Sequence, residues 1–122
     1  MCNITRIPFD VYKQLHYTEQ VNFHFINRNL KTLYETGRSK KYPLQKQVIQ
    51  GFFQVMAAID AAVSIHDLQQ RPSLNFERMQ GTESRFSLRI NRKYRLEVEI
   101  DWENEEKTIG ILGIDEISTH YQ

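Results

Sequence analysis

Cysteine is almost missing from this chain of 122 residues, in which Cys2 is the only one. A single cysteine excludes an internal disulfide. The chain also lacks any apolar run near the ~18 residues that a membrane-spanning helix needs. Residues 1–8 lack the apolar core of a signal peptide. Together these absences predict a cytoplasmic protein without a membrane segment.

A strong net charge of either sign is missing too, since 16 basic and 15 acidic residues leave +1. The charges are nevertheless unevenly spread: the balance is +3 over residues 1–70, +5 over 71–95 and −7 over 96–122. A basic middle beside an acidic end fits a polyanion-binding patch that the acidic end limits. It fits equally well with neutralisation across a sheet, for example with Arg95 opposite a carboxylate.

The clearest pattern lies in residues 85–102, where apolar and polar residues alternate with period two, as in half-buried strands. The apolar positions are Phe86, Leu88 and Ile90 in the first arm, and Tyr94, Leu96, Val98, Ile100 and Trp102 in the second. The short polar segment 91–93 between the arms predicts a hairpin. The polar face of this hairpin brings Arg89 and Arg95 together, and two guanidinium forks on one face suit phosphate binding.

The remaining elements follow from periodicity and end signals. They are a strand over 20–25, a short helix from Asn27 or Asn29 through Tyr34, a long helix with Pro43 in its first turn running to about Ala62, a strand over 76–79, and a last strand over 107–114. Residues 64–75 are predicted to be an irregular connection, and residues 115–122 a polar tail. This order predicts one α+β domain over residues 1–122, with two helices on one face of a small, mostly antiparallel sheet. Residues 1–19 form an extension of unknown role.

Metal binding is not expected. His16, His24 and His66 have no ligand-like spacing with Cys2 or with paired carboxylates. We interpret these histidines as structural or exposed, and the residue pair His66-Asp67 as a local helix cap.

From about Val21 onward, the chain resembles the HigB branch of the RelE/ParE toxins of bacterial type II toxin–antitoxin systems. The resemblance is carried by Tyr34-Glu35-Thr36-Gly37, Met56-Ala57-Ala58-Ile59-Asp60-Ala61-Ala62, His66-Asp67-Leu68, Phe76-Glu77-Arg78-Met79-Gln80-Gly81, Phe86-Ser87-Leu88-Arg89-Ile90-Asn91, Tyr94-Arg95-Leu96 and His120-Tyr121. It implies a RelE/ParE-like fold and a toxin that cuts mRNA in the ribosomal A site without a metal or other cofactor. It also implies a helix-turn-helix antitoxin, HigA-like, through which alone the toxin would meet operator DNA.

The resemblance also assigns the site residues. Arg95 matches the arginine of the family's aromatic-Arg-aliphatic motif and is expected at the scissile phosphate, and Arg89 falls where relatives carry a second basic residue. His120 and Tyr121 match the C-terminal histidine and aromatic residue, for proton transfer or for stacking on a base. We expect further RNA contacts from Gln80, Arg85, Arg92 and Lys93.

The chain departs from the family at two positions. Gln80 and Glu77 stand where some HigB proteins carry a lysine and a histidine, so the chemistry is left to Arg89, Arg95 and His120.

Plainer roles for these side chains remain open. They are an ion pair of Arg95 with Glu97 or Glu99, a solvated turn for Arg92 and Lys93, a terminal tail position for His120, and a hydrophobic anchor for Tyr121.

Three functions therefore compete. The first is a ribosome-dependent mRNA endonuclease that inhibits translation. The second is a non-enzymatic ParE-like toxin that blocks DNA gyrase, which suits the two missing cations. The third is an inactive protein that kept the fold and its partner contacts, which suits the acidic C-terminal third.

Overall fold

The computed structural model describes residues 21–119. Their elements, in chain order, are β1 (Asn22–Phe25), α1 (Arg28–Thr36), α2 (Lys46–Ala61), α3 (Ile65–Gln69), a 3-10 turn (Pro72–Leu74), β2 (Glu77–Arg78), β3 (Arg85–Arg89), β4 (Tyr94–Trp102) and β5 (Gly110–Thr119). The strands form one sheet in the order β1-β5-β4-β3-β2. β1 runs parallel to β5, and the other neighbours are antiparallel. The predicted α+β class is confirmed.

The predicted hairpin is confirmed as β3 and β4. Leu88 lies opposite Leu96, and Arg89 lies opposite Arg95. Both leucines are fully buried on the side of the sheet that packs against the helices. Because successive side chains point to opposite faces of a strand, the two arginines lie on the other side of the sheet.

The long helix α2 packs on the sheet through residues spaced three and four apart, as its apolar stripe predicts. Its buried residues are Val48, Phe52, Val55, Met56, Ala58 and Ile59. The helix begins later than predicted: its first residue is Lys46, its N-cap is Gln45, and Pro43 lies before the cap. Pro43 therefore does not lie in the first turn.

The connection over residues 64–75 is more regular than predicted, since it holds α3 and the 3-10 turn. The sequence signal is weak because α3 has only five residues. Asp67 caps this helix by accepting hydrogen bonds from the backbone N–H groups of Val63, at 2.8 Å, and Ser64, at 3.3 Å. These bonds lower the pKa of Asp67 because they favour its charged form. The role predicted for the pair His66-Asp67, a local cap, is therefore filled by Asp67.

The prediction for the final strand is wrong at both ends, and β5 begins at Gly110 instead of Lys107. The sequence pattern assigns residues 115–119 to a polar tail, but β5 continues to Thr119. The cause is an irregularity in its pairing with β4 at Glu97 and Val98. The irregularity breaks the period-two alternation, so the polar residues after Ile114 do not look like a strand.

The N-terminus of α1 shows which of the two candidate asparagines is the cap. The Oδ1 atom of Asn27 accepts hydrogen bonds from the backbone N–H of Asn29 at 2.9 Å and of Leu30 at 3.2 Å. Gly37 ends the helix with φ of 82°, a left-handed conformation that glycine adopts readily.

Tyr42, between α1 and α2, links this helix to β5. Its side chain is buried, and its hydroxyl donates to Oε1 of Glu116 at 2.6 Å. The hydroxyl also accepts a hydrogen bond from Nδ2 of Asn27 at 2.9 Å. Burial, helped by the Glu116 carboxylate, raises the pKa of Tyr42 to about 12.

The shift in Tyr42 predicts a loss of stability in alkali. The folded protein holds this proton more tightly than the unfolded chain, whose tyrosines titrate near ~10. The stabilisation is therefore complete below pH ~10 and is lost as the pH rises through about 12. We expect Tyr42→Phe to lower the free energy of unfolding by about 1–2 kcal/mol at neutral pH, because it removes two part-buried hydrogen bonds, to Glu116 and from Asn27. Urea denaturation at increasing pH should show this difference shrinking above pH ~10; a constant difference would contradict the prediction.

Candidate active site

A small open pocket lies on the sheet face that points away from the helices, at the end where β3 leads into β4. It is lined by Asn75, Glu77, Ser87, Arg89, Asn91, Tyr94 and Arg95. Three separate pieces of chain build it: the segment around β2, the strand β3, and the hairpin loop with the start of β4. The pocket contains the two arginines that the alternation predicts to be neighbours.

The two arginines keep their charges available. Arg95 is half-buried, and its Nε donates to Oγ of Ser118 at 3.4 Å, a long hydrogen bond to a neutral group. Arg89 is exposed. Across residues 21–119, the ion pairs are all made by Arg85, so neither pocket arginine has a carboxylate within 4.0 Å there. Two adjacent guanidinium groups with this geometry are suited to binding an anion.

Arg85 makes the ion pairs across the sheet that the uneven charge distribution predicts as one alternative. Its Nη2 lies 2.9 Å from Oε1 of Glu97 and 2.7 Å from Oδ2 of Asp115, and its Nη1 lies 3.3 Å from Oε2 of Glu99. Burial disfavours the charge, but the carboxylates of Asp115 and Glu97 outweigh burial and raise the pKa of Arg85. The acidic residues expected as partners of Arg95 are thus bound to Arg85, which lies outside the pocket lining.

Glu77 brings a carboxylate into the pocket. β2 pairs with β3 so that Glu77 lies opposite Ser87, two residues from Arg89 on the same face. Nδ2 of Asn75 lies 3.4 Å from Oε2 of Glu77. From the family resemblance, Glu77 is notable only because some HigB proteins carry a histidine at this position. Its nearness to both arginines depends on the pairing of β2 with β3, for which the two-residue strand offers no pattern.

The hairpin loop closes one side of the pocket. Oδ1 of Asn91 accepts hydrogen bonds from the backbone N–H of Lys93 at 2.9 Å and of Tyr94 at 2.8 Å. These bonds hold the loop in a tight turn. Arg92 and Lys93 are both exposed in this loop, next to the pocket residues Asn91 and Tyr94. The Nζ atom of Lys93 lies 5.7 Å from the centre of the Tyr94 ring.

The other predicted site residues fall elsewhere. Gln80 is exposed in the turn after β2 and does not line the pocket. His120 and Tyr121 lie outside the described residues. The last residue of β5, Thr119, pairs with the pocket residue Tyr94.

The described part of the chain contains neither a cluster suited to a metal ion nor a helix suited to crossing a membrane. Residues 21–119 contain no cluster of three or more His, Cys, Asp or Glu side chains suited to a metal ion. None of the helices in that range has the length and apolar character needed to cross a membrane.

Comparisons with known proteins place the chain in a family. The family model described as the RelE-like toxin of type II toxin-antitoxin system HigB matches residues 23–110. A search of the curated proteins found no significant match. Among solved structures, the chain is similar to a YoeB/ParE toxin from Agrobacterium tumefaciens, with 11% identity and a TM-score of 0.43 over 84% of this chain and 99% of that one. Since the family model covers well over half of the sequence, the chain belongs to the HigB-like family of RelE-like toxins of type II toxin–antitoxin systems.

Proposed function

We propose that this toxin is a metal-independent endoribonuclease that cuts mRNA in the ribosomal A site and so inhibits translation. The observation that carries the proposal is the pairing of Arg89 with Arg95 in one pocket, where no described carboxylate lies within 4.0 Å of either guanidinium. Membership of a type II family implies an antitoxin partner. The ribosome, the mRNA and a cytoplasmic site of action are part of the proposal.

The reaction needs three contributions from the protein. The ribose 2′-hydroxyl attacks the adjacent phosphorus, a base takes its proton, and the 5′-oxygen leaves with a proton from an acid. The products are a 2′,3′-cyclic phosphate and a 5′-hydroxyl. Negative charge builds on the phosphate oxygens during attack, and preorganised cations stabilise this charge.

The pocket suggests which residue supplies each contribution. Arg95 and Arg89 hold the scissile phosphate and offset its growing charge. Glu77 is the carboxylate among the pocket residues, and we assign it to accept the proton of the 2′-hydroxyl. His120 and Tyr121 remain candidates for returning a proton to the leaving oxygen, or for stacking on a base.

The remaining RNA contacts are proposed around this centre. Arg92 and Lys93 would meet the RNA backbone from the exposed hairpin loop, which is a sequence-independent contact. Gln80 would lie at the edge of the bound strand. Arg85, predicted as a further contact, is already bonded to three carboxylates.

Primer extension on cellular mRNA after induced expression tests the proposal. Cuts within translated codons, absent from untranslated regions and absent when ribosomes are blocked, are the expected result. Growth arrest with intact mRNA and an SOS response would replace the proposal with gyrase inhibition. Neither arrest nor cuts would leave a toxin fold that only binds its antitoxin.

A further inference from the structure

The strand β5 contains one residue more than its partner at a single point. Glu97 pairs with Glu116, whereas the next residue, Val98, pairs with Ile114. Asp115 is therefore the extra residue of a β-bulge. Bulges bend a strand locally and change which side chains share a face beyond them.

This bulge determines which residue of β5 lies opposite Arg95. With it, Ser118 pairs with Arg95 and Ile117 pairs with Leu96 on the buried face. If β5 continued without the extra residue, Ile117 would lie opposite Arg95, and Glu116 would lie opposite Leu96. The observed register thus places a small hydroxyl at the arginine that we assign to the phosphate.

Three contacts from three different parts of the fold converge on the bulge. Nη2 of Arg85 lies 2.7 Å from Oδ2 of Asp115. Nδ2 of Asn27 donates to the backbone oxygen of Asp115 at 2.8 Å. The hydroxyl of Tyr42 donates to Oε1 of Glu116 at 2.6 Å. The bulge is therefore held from β3, from the N-cap of α1, and from the loop before α2.

We propose that Arg85 is a positioning residue, which clamps Asp115 in the bulge and so fixes the register of β5 beside Arg95. As far as activity is concerned, this inference rests on the proposed function. It goes beyond that function by naming how the site is held, and by giving Arg85 a role at a distance from the RNA.

The surroundings of Arg85 favour clamping over RNA contact. Its Nε also bonds to Glu97, at 3.1 Å, so Nε, Nη1 and Nη2 are all engaged by carboxylates. Three carboxylates around one guanidinium leave a net charge of −2 at this place. A phosphate that approached Arg85 would meet this negative charge before the guanidinium.

The test compares Arg85→Ala, Asp115→Ala and the double variant in two assays. The first measures amide hydrogen exchange of residues 116–119 in the purified protein. The second measures kcat and KM for mRNA cleavage on programmed ribosomes. Asp101→Ala removes an exposed carboxylate from the same face of β4 and is the matched control.

A clamp predicts that removing the cation and removing the anion move both readouts in the same direction, with Arg85→Ala at least as damaging because it also breaks the ion pairs with Glu97 and Glu99. We expect each single variant to speed exchange at residues 116–119 and to lower kcat about tenfold with KM unchanged, because small misplacements at a reacting centre are costly. The double variant should lose no more than Arg85→Ala alone, since Asp115 has already lost its cation in that variant. Asp115→Asn, a milder change, should move both readouts in the same direction.

Other outcomes overturn the clamp. Unchanged amide hydrogen exchange of residues 116–119 in both single variants would overturn the clamp, whatever the activity. A raised KM in Arg85→Ala, with no loss in Asp115→Ala, would make Arg85 an RNA contact. If the wild-type protein cleaves no mRNA, the proposed function fails, and the exchange measurement still decides whether the clamp exists.

Discussion

Replacing Arg95 with alanine is expected to lower the rate of mRNA cleavage by roughly 10²- to 10³-fold, and with it the toxicity. The guanidinium is half-buried, has Ser118 as its hydrogen-bonding neighbour, and lies directly opposite Arg89. In the proposed mechanism, its removal takes away a donor that stabilises the charge building up on the phosphate. Single-turnover cleavage on programmed ribosomes measures this loss.

Two further variants define what the loss means. Arg95→Lys keeps the charge but not the planar fork, so we expect an intermediate rate. Arg38→Ala removes an exposed arginine from the loop between α1 and α2 and should cleave like the wild type. Circular dichroism and antitoxin binding should be the same for all these proteins. A fully toxic Arg95→Ala protein would rule out the assigned role of Arg95.

The second large effect is expected at Glu77. Replacing this carboxylate with an amide of nearly equal shape removes a proton acceptor while keeping the hydrogen-bonding reach to Asn75. General base catalysis is typically worth about 10²- to 10⁴-fold, and we expect Glu77→Gln to lose about 10²-fold in kcat. The measurement is steady-state cleavage on programmed ribosomes, with KM expected to stay near the wild-type value.

The control for Glu77 is Glu105→Gln, which changes an exposed carboxylate in the turn before β5. It should leave the rate unchanged. His120→Gln, compared with Glu77→Gln, separates the proposed base from one of the two candidates for the acid. A wild-type rate in Glu77→Gln together with a large loss in His120→Gln would move the base to the C-terminus.

The sequence is sufficient to predict the arginine pair. Strict alternation through residues 85–102 determines which side chains share a face, and a short polar loop determines the pairing of the two arms. Arg89 and Arg95 therefore have to be neighbours on the face away from the core. Because local pattern determines this part of the site, it follows from the amino-acid sequence alone.

The rest of the site depends on pairing between distant segments. Glu77 joins the pocket through a strand of two residues, which carries no periodic signal. The role of Arg85 follows from a bulge thirty residues later in the chain, at Asp115. The bulge also makes the end of β5 hard to predict. Its one sign in the sequence is the spacing of Ile114 and Ile117, which are three residues apart and are both buried.

The most direct measurement is the chemistry of the cut ends. Purified toxin is mixed with ribosomes that hold a defined mRNA codon in the A site, and the ends of the fragments are identified by mass spectrometry. Attack by the 2′-hydroxyl predicts a 2′,3′-cyclic phosphate and a 5′-hydroxyl, both lost in Arg95→Ala. Fragments with a 3′-hydroxyl and a 5′-phosphate, or no fragments from the wild-type protein, would contradict the mechanism.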